Sequence, residues 1–92
     1  MWYIYVLESL TSKKLYTGYT SDLKRRMTEH NEGRGGKNTS EHGKYKLIFY
    51  EAYLEKSDAI RAEKFFKSGY GRELLRGKLE TYFTNREKPD NK

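Results

Sequence analysis

Residues 2–8 read WYIYVLE and residues 14–19 read KLYTGY, two runs dense in aromatic and β-branched side chains with Thr11-Ser12-Lys13 between them. Side chains of these types fit a pleated, half-buried surface, so both runs are expected to be strands. Their short separation predicts an antiparallel hairpin. Alternation along the first run places Tyr3 and Tyr5 on one face and Trp2, Ile4 and Val6 on the other. In the second run Tyr16 and Gly18 share a face, opposite Leu15, Thr17 and Tyr19. A surface carrying the phenols of Tyr3, Tyr5 and Tyr16 follows. Most clusters of this kind are packing, so the hairpin by itself fixes a fold and not an activity.

The rest of the chain has to cover that hairpin. Thr20 or Ser21 is placed to cap a helix over residues 22–30, with Asp22 in its first turn, Leu23 and Met27 as a narrow apolar stripe and Gly33 at its end. Residues 31–45 (NEGRGGKNTSEHGKY) form a Gly- and Asn-rich loop, long for so small a domain. Its His42 has no partner at a metal-ligand spacing. Residues 46–53 (KLIFYEAY) are a third strand. Residues 56–67 predict a second helix capped by Ser57, Ser68–Gly71 break it, and residues 72–83 predict a third with Leu75, Leu79, Tyr82 and Phe83 along one side. The order ββαβαα describes an α+β domain over residues 1–83, a three-stranded mixed or antiparallel sheet flanked by helices. Residues 84–92 (TNREKPDNK) read as a polar, frayed tail.

Size limits what such a domain can hold. A chain of 92 residues buries roughly 60–65% of its unfolded surface. Only 35% of the residues are hydrophobic, and nine Tyr, four Phe and one Trp supply much of that, so the core is expected to be thin and aromatic. No cysteine is present, which removes disulfides and thiolate metal sites and fits a reducing cytoplasm. No apolar run approaches the roughly 18 residues a membrane span needs, so no membrane partner is expected. Nineteen Lys and Arg against thirteen Asp and Glu leave a net charge of +6. Small basic domains often meet polyanions, because neutralising phosphates releases counterions; a solvated charged surface accounts for the same numbers.

Three residues sit where packing alone would not put them. At about 100° per residue, Ala59, Ile60, Ala62, Glu63 and Phe66 occupy one arc of the second helix, with Glu63 near its middle. A carboxylate on a core-facing arc costs several kcal/mol unless it is paired, protonated or bound to a cation. A buried pair with Arg or Tyr would explain it. So would a metal site, since one carboxylate plus waters and substrate phosphates is how Mg2+ is usually held. Arg26 and His30 are spaced i, i+4 on the first helix, which stacks them on one face with Arg25 and Glu29 turned away. There Arg26 could grip a phosphate and His30 could move a proton, or both could simply cover apolar surface with their stems.

In this order, an aromatic hairpin ending Tyr-x-Gly, a helix carrying Arg and His one turn apart, and a Glu inside a later helix resemble the GIY-YIG nuclease superfamily. The similarity covers residues 2–70 and is nearest to the small stand-alone members related to the N-terminal domain of excinuclease C. The first motif is Tyr3-Ile4-Tyr5, the second Tyr16-Thr17-Gly18, the third Asp22-Leu23-x-x-Arg26-x-x-x-His30 and the fourth Asp58-Ala59-x-x-x-Glu63. KLIFYEAY is similar to the family's central strand. Tyr3 replaces the family's leading Gly, Tyr19 stands where a Lys is frequent, and the Asn that often follows the glutamate helix has no clear counterpart.

The resemblance implies a metal-dependent endonuclease acting on DNA, structure-specific and repair-related, with Mg2+ or Mn2+ on Glu63. It implies Tyr16 as the general base, His30 as its assistant, Arg26 as the group that stabilises the pentavalent phosphate, and Tyr5 as a hydrogen-bonding support. A free phenol titrates near pH 10, so such a site must favour phenolate. Gly18 would admit the nucleic-acid backbone, and Tyr19 with Arg34 and Lys37 of the loop would contact substrate. A non-cleaving nucleic-acid-binding module and a purely structural domain remain as alternatives; whether the chain works alone, as a homodimer or with a partner protein is open.

Overall fold

A computed structural model of the chain describes residues 1–32 and 44–86. Three strands form one sheet in the order β2-β1-β3, with β1 Trp2–Ser9 in the centre, β2 Leu15–Thr20 on one edge and β3 Tyr45–Tyr53 on the other. Both pairings are antiparallel. KLIFYEAY is therefore an edge strand, and the central position belongs to WYIYVLES. In the hairpin turn, the Ser9 hydroxyl accepts from the backbone N–H groups of Thr11 and Ser12 at 3.2 and 3.0 Å, and Lys13 takes a left-handed φ of 65°. Between Val6 and Leu7 the register of β3 slips by one residue, so that Ile48 and Phe49 both turn to the face of Val6 while Leu47 stays with Leu7.

Helix α1 (Leu23–Asn31) lies against one face of the sheet. Its cap is Asp22, whose carboxylate accepts from the Arg25 N–H at 3.0 Å, while Thr20 Oγ1 accepts from Asp22 N–H. Asp22 thus ends up outside the helix as its cap, and the expected Thr20 hydroxyl binds the Asp22 N–H instead of a helical amide. The helix stops at Asn31 with Glu32 as its C-cap, and Gly33 lies outside the described residues.

The opposite face is covered by α2 (Lys56–Lys67) and α3 (Gly69–Lys78). Helix α2 begins at Glu55 without a side-chain cap, earlier than Ser57 would have started it. Ser68 alone makes the break. Its hydroxyl donates to Phe65 O at 2.6 Å and accepts from Gly71 N–H at 3.1 Å, so it closes one helix and caps the next. Gly71 is obligatory there, since a Cβ would stand 1.9 Å from the Phe65 carbonyl oxygen. The final stretch bends at Leu79 into α4 (Glu80–Arg86) rather than running straight to Phe83. The bend carries Tyr82 and Arg86 back to Glu8, a carboxylate only 1% exposed at the end of β1, where both engage it. Helix therefore continues through Thr84–Arg86, where a frayed tail was expected, and residues 87–92 lie outside the described part. Among the described residues no helix is long and apolar enough to cross a membrane.

Alternation along β1 assigns the two faces as expected. Ile4 and Val6 are fully buried with Ala59, Phe66 and Leu75 under α2 and α3. Tyr5, Leu7 and Tyr45 form a second cluster with Tyr16, Leu23 and Met27 under α1.

Candidate active site

Where the hairpin's open end meets both helical layers, a cleft of about 480 Å3 opens at the sheet edge. The central strand supplies Tyr5, β2 supplies Tyr16, Gly18 and Tyr19, α1 supplies Arg26 and α2 supplies Glu63. Helices from opposite faces thus reach the same hollow around the narrow edge strand. A larger groove of about 900 Å3 lies between α1 and β3, but there Asp22 is spent on capping and no base, guanidinium and carboxylate converge among its described lining residues. Tyr3 lines that groove, edge-on to Tyr50 at 6.0 Å, so the expected three-phenol surface reduces to Tyr5 and Tyr16.

Tyr5 organises the cleft floor. Its hydroxyl accepts from Arg26 Nε at 3.3 Å and shares a 3.0 Å hydrogen bond with His30 Nε2. Gly18 pairs directly opposite it, and a Cβ there would stand 2.6 Å from the Tyr5 hydroxyl. The glycine is therefore needed because a phenol lies across it, a different reason from open access for nucleic acid. Burial raises the Tyr5 phenol above its ordinary range, an effect that Arg26 only partly offsets, so this hydroxyl stays protonated. Arg26 also donates from Nη1 to Glu29 at 2.8 Å, and that bond, followed by the one to Tyr5, holds its charge firmly in place. The sequence pattern turns Arg25 and Glu29 away, yet both line the cleft, because it opens along the flank of α1 and not over its apolar stripe.

His30 lies beneath this floor instead of in the cleft. It is 1% exposed, with the rings of Tyr16 at 4.9 Å, Tyr5 at 5.7 Å and Tyr45 at 6.2 Å. Burial, reinforced by Arg26, depresses its pKa to about 4, so it is neutral near pH 7. Its Nδ1 has no hydrogen-bond partner among the described residues.

Glu63 faces the cleft at 17% side-chain exposure, and Lys67 one turn along α2 reaches its Oε2 at 3.2 Å. The pairing explains how the arc of α2 tolerates a carboxylate, with a lysine in place of the arginine or tyrosine anticipated. It leaves the carboxylate at a rim open to solvent. Among the described residues no three His, Cys, Asp or Glu side chains gather to hold a metal. Of the two carboxylates that line the cleft, Glu29 is bound by Arg26, and one further carboxylate on a polar wall, Glu63, suits an ion that keeps most of its waters, as Mg2+ does, and does not suit zinc. Arg34, Lys37 and His42 lie outside the described residues. Trp2, which its place in the alternation assigns only to packing, lines the cleft beside Tyr19 with ring centroids 6.4 Å apart.

The family model of the GIY-YIG catalytic domain matches residues 1–76. The chain belongs to the GIY-YIG family. The two name-giving tripeptides lie on β1 and β2, with Tyr5 of the first paired to Gly18 of the second. UPF0213 proteins of two streptococci are similar to the chain. One from Streptococcus agalactiae is 49% identical over 65 residues, covering 71% of this chain and 73% of the relative. One from Streptococcus pyogenes is 48% identical over 65 residues, covering 71% and 70%. The solution NMR structure of the UPF0213 protein BH0048 from Bacillus halodurans matches over the full length of both chains, with a TM-score of 0.55 and 33% identity. This is a small GIY-YIG protein of a nuclease family.

Proposed function

We propose that the cleft is the active site of a divalent-metal-dependent endonuclease that hydrolyses phosphodiester bonds in DNA. The observation that carries this is the meeting of Tyr16, Arg26 and Glu63 in one hollow, although they come from an edge strand and from helices on opposite faces of the sheet. No packing requirement brings a phenol, a guanidinium and a carboxylate together at a solvent-open rim.

The chemistry divides among these groups. Tyr16, on the β2 wall of the cleft, acts in its phenolate form and takes the proton of the attacking water as the new P–O bond forms. Arg26, fixed by Glu29 and Tyr5, presents its guanidinium charge to the phosphate as charge accumulates on the pentavalent centre. Tyr5 and His30 position Arg26 and the floor; His30, buried and neutral, does not itself reach substrate. Glu63 is the residue that would hold Mg2+ or Mn2+, which when bound supplies charge neutralisation to the phosphate and to the 3′-oxygen as the P–O3′ bond breaks. Trp2 and Tyr19 offer aromatic surface for an unstacked base beside the scissile phosphate. That wall favours branched or flapped DNA, the substrates of a repair-related enzyme, over continuous duplex.

The test is incubation of the full chain with branched, flapped, nicked and linear DNAs, with Mg2+, with Mn2+ and with a chelator. Metal-dependent strand cleavage, strongest on the branched or flapped forms, is expected. Binding of all four without cleavage under either metal would overturn the reading and leave a nucleic-acid-binding module.

A further inference from the structure

Beyond Tyr16, on the side away from Arg26, a second hollow of about 210 Å3 follows the outer edge of β2. Tyr16 is its shared wall with the cleft. Leu15, Thr17, Phe66 and Leu75 also line it, and Lys67 and Arg72 supply two cations, with no carboxylate among its described lining residues. Arg72 is exposed and the Lys67 side chain is 53% exposed, so both are open to a ligand. A site with two cations, one phenol ring away from where a phosphate is attacked, matches the next phosphate of the same nucleic-acid strand.

Lys67 links the two hollows, since it lines the second one while its ammonium lies 3.2 Å from the Oε2 of Glu63, a residue of the cleft. A lysine ammonium is a compact point charge on a flexible stem, and a partly exposed i, i+4 ion pair holds it weakly. A phosphate arriving between Lys67 and Arg72 offers it a competing anion. We propose that the Lys67–Arg72 hollow binds a backbone phosphate adjacent to the scissile one, and that Lys67 moves from Glu63 to this phosphate, exposing the Glu63 carboxylate to the cation. Nucleic acid and metal then bind cooperatively, and by linkage each tightens the other. The inference rests on the cleft being a nuclease site with its metal on Glu63. Lys67 is a positioning residue in this scheme.

Mn2+ binding to the full chain, followed by electron paramagnetic resonance with and without a short single-stranded phosphorothioate oligodeoxynucleotide, tests it without reference to turnover. Lys67→Gln is expected to bind Mn2+ about three- to fivefold more tightly than wild type in the absence of nucleic acid, the scale of a weak ion pair. The oligonucleotide should then raise Mn2+ affinity by a correspondingly larger factor in wild type than in Lys67→Gln. Arg72→Gln should bind Mn2+ alone like wild type, yet bind the oligonucleotide more weakly with a salt slope lower by about one. Equal enhancement by the oligonucleotide in wild type and Lys67→Gln would overturn the inference, as would Lys67→Gln binding Mn2+ no more tightly. A wild type that cuts DNA but shows no such coupling refutes only the transfer of Lys67. A wild type that cuts nothing under either metal refutes the nuclease reading itself.

Discussion

The two faces of the same three-stranded sheet are packed by neighbouring residues of one strand, and they are made of different chemistry. Under α2 and α3, Ile4, Val6, Ala59, Phe66 and Leu75 bury only carbon and are at most 4% exposed. Under α1, Tyr5, Tyr45 and His30 are just as buried, but each brings a polar atom that must be hydrogen-bonded or left wanting. The first face gains its stability from area and dispersion, which are indifferent to small shifts of angle. The second gains less from burial and is bound by geometry. Tyr5 must lie across Gly18 to meet both Arg26 and His30. Substitutions on the apolar face should therefore appear as lost stability, and those on the phenol face increasingly as lost function.

The largest stability effect is expected from Phe66→Ala, which empties a site 4% exposed between the sheet and α3 and should cost about 3–5 kcal/mol in a denaturant titration. A cost below about 1 kcal/mol would mean that this face is not the main core, and the contrast between faces would fail.

Next in size is the pH dependence set by His30. Its folded pKa of about 4 lies below the ordinary 6.5, so protons bind the unfolded chain more readily. Stability should be unaffected by this group above pH 6.5, fall by about 3 kcal/mol as pH drops from 6.5 towards 4, and level off below that. His30→Gln should remove that step, read as the difference between the two stability–pH curves. An identical step in both would place the titration elsewhere.

Gly18→Ala should cost about 1–3 kcal/mol by forcing the Tyr5 phenol off its position, and cleavage should fall with it. If the variant keeps full activity, the placement of Tyr5 is not what the glycine serves. The smallest stability effect belongs to Tyr16→Phe, expected to shift unfolding by under about 1 kcal/mol while lowering cleavage at least ~10²-fold. That reversal of rank is the clearest sign of a residue kept for chemistry.

Much of this arrangement was legible in the sequence because period-2 alternation on the hairpin and one carboxylate on an apolar arc are local signals. The faces of β1, the pairing of the two tyrosine runs and the unusual place of Glu63 all came from residues within a few positions of one another. What was missed depended on distant partners. Glu8 sits on the buried side of β1 by the same alternation and is a second misplaced carboxylate, but the Tyr82 that engages it is 74 residues away. The bend at Leu79 exists to bring Tyr82 and Arg86 to it, and no propensity along residues 72–83 announces that. Helical spacing grouped His30 with Arg26 correctly, yet could not tell that the imidazole lies beneath the cleft while Arg25 and Glu29 line it. The third strand lies at an edge and not in the centre, since strand order is set by pairing across the whole sheet and not by the composition of KLIFYEAY.

The central claim is that Glu63 is a functional carboxylate and not merely the partner of Lys67. Glu63→Gln measures this most directly, compared with wild type for DNA binding and for Mg2+- or Mn2+-dependent cleavage of the same flapped DNA. The expected result is a folded variant that binds the DNA about as well as wild type and no longer cleaves it. Cleavage by Glu63→Gln at the wild-type rate would contradict it.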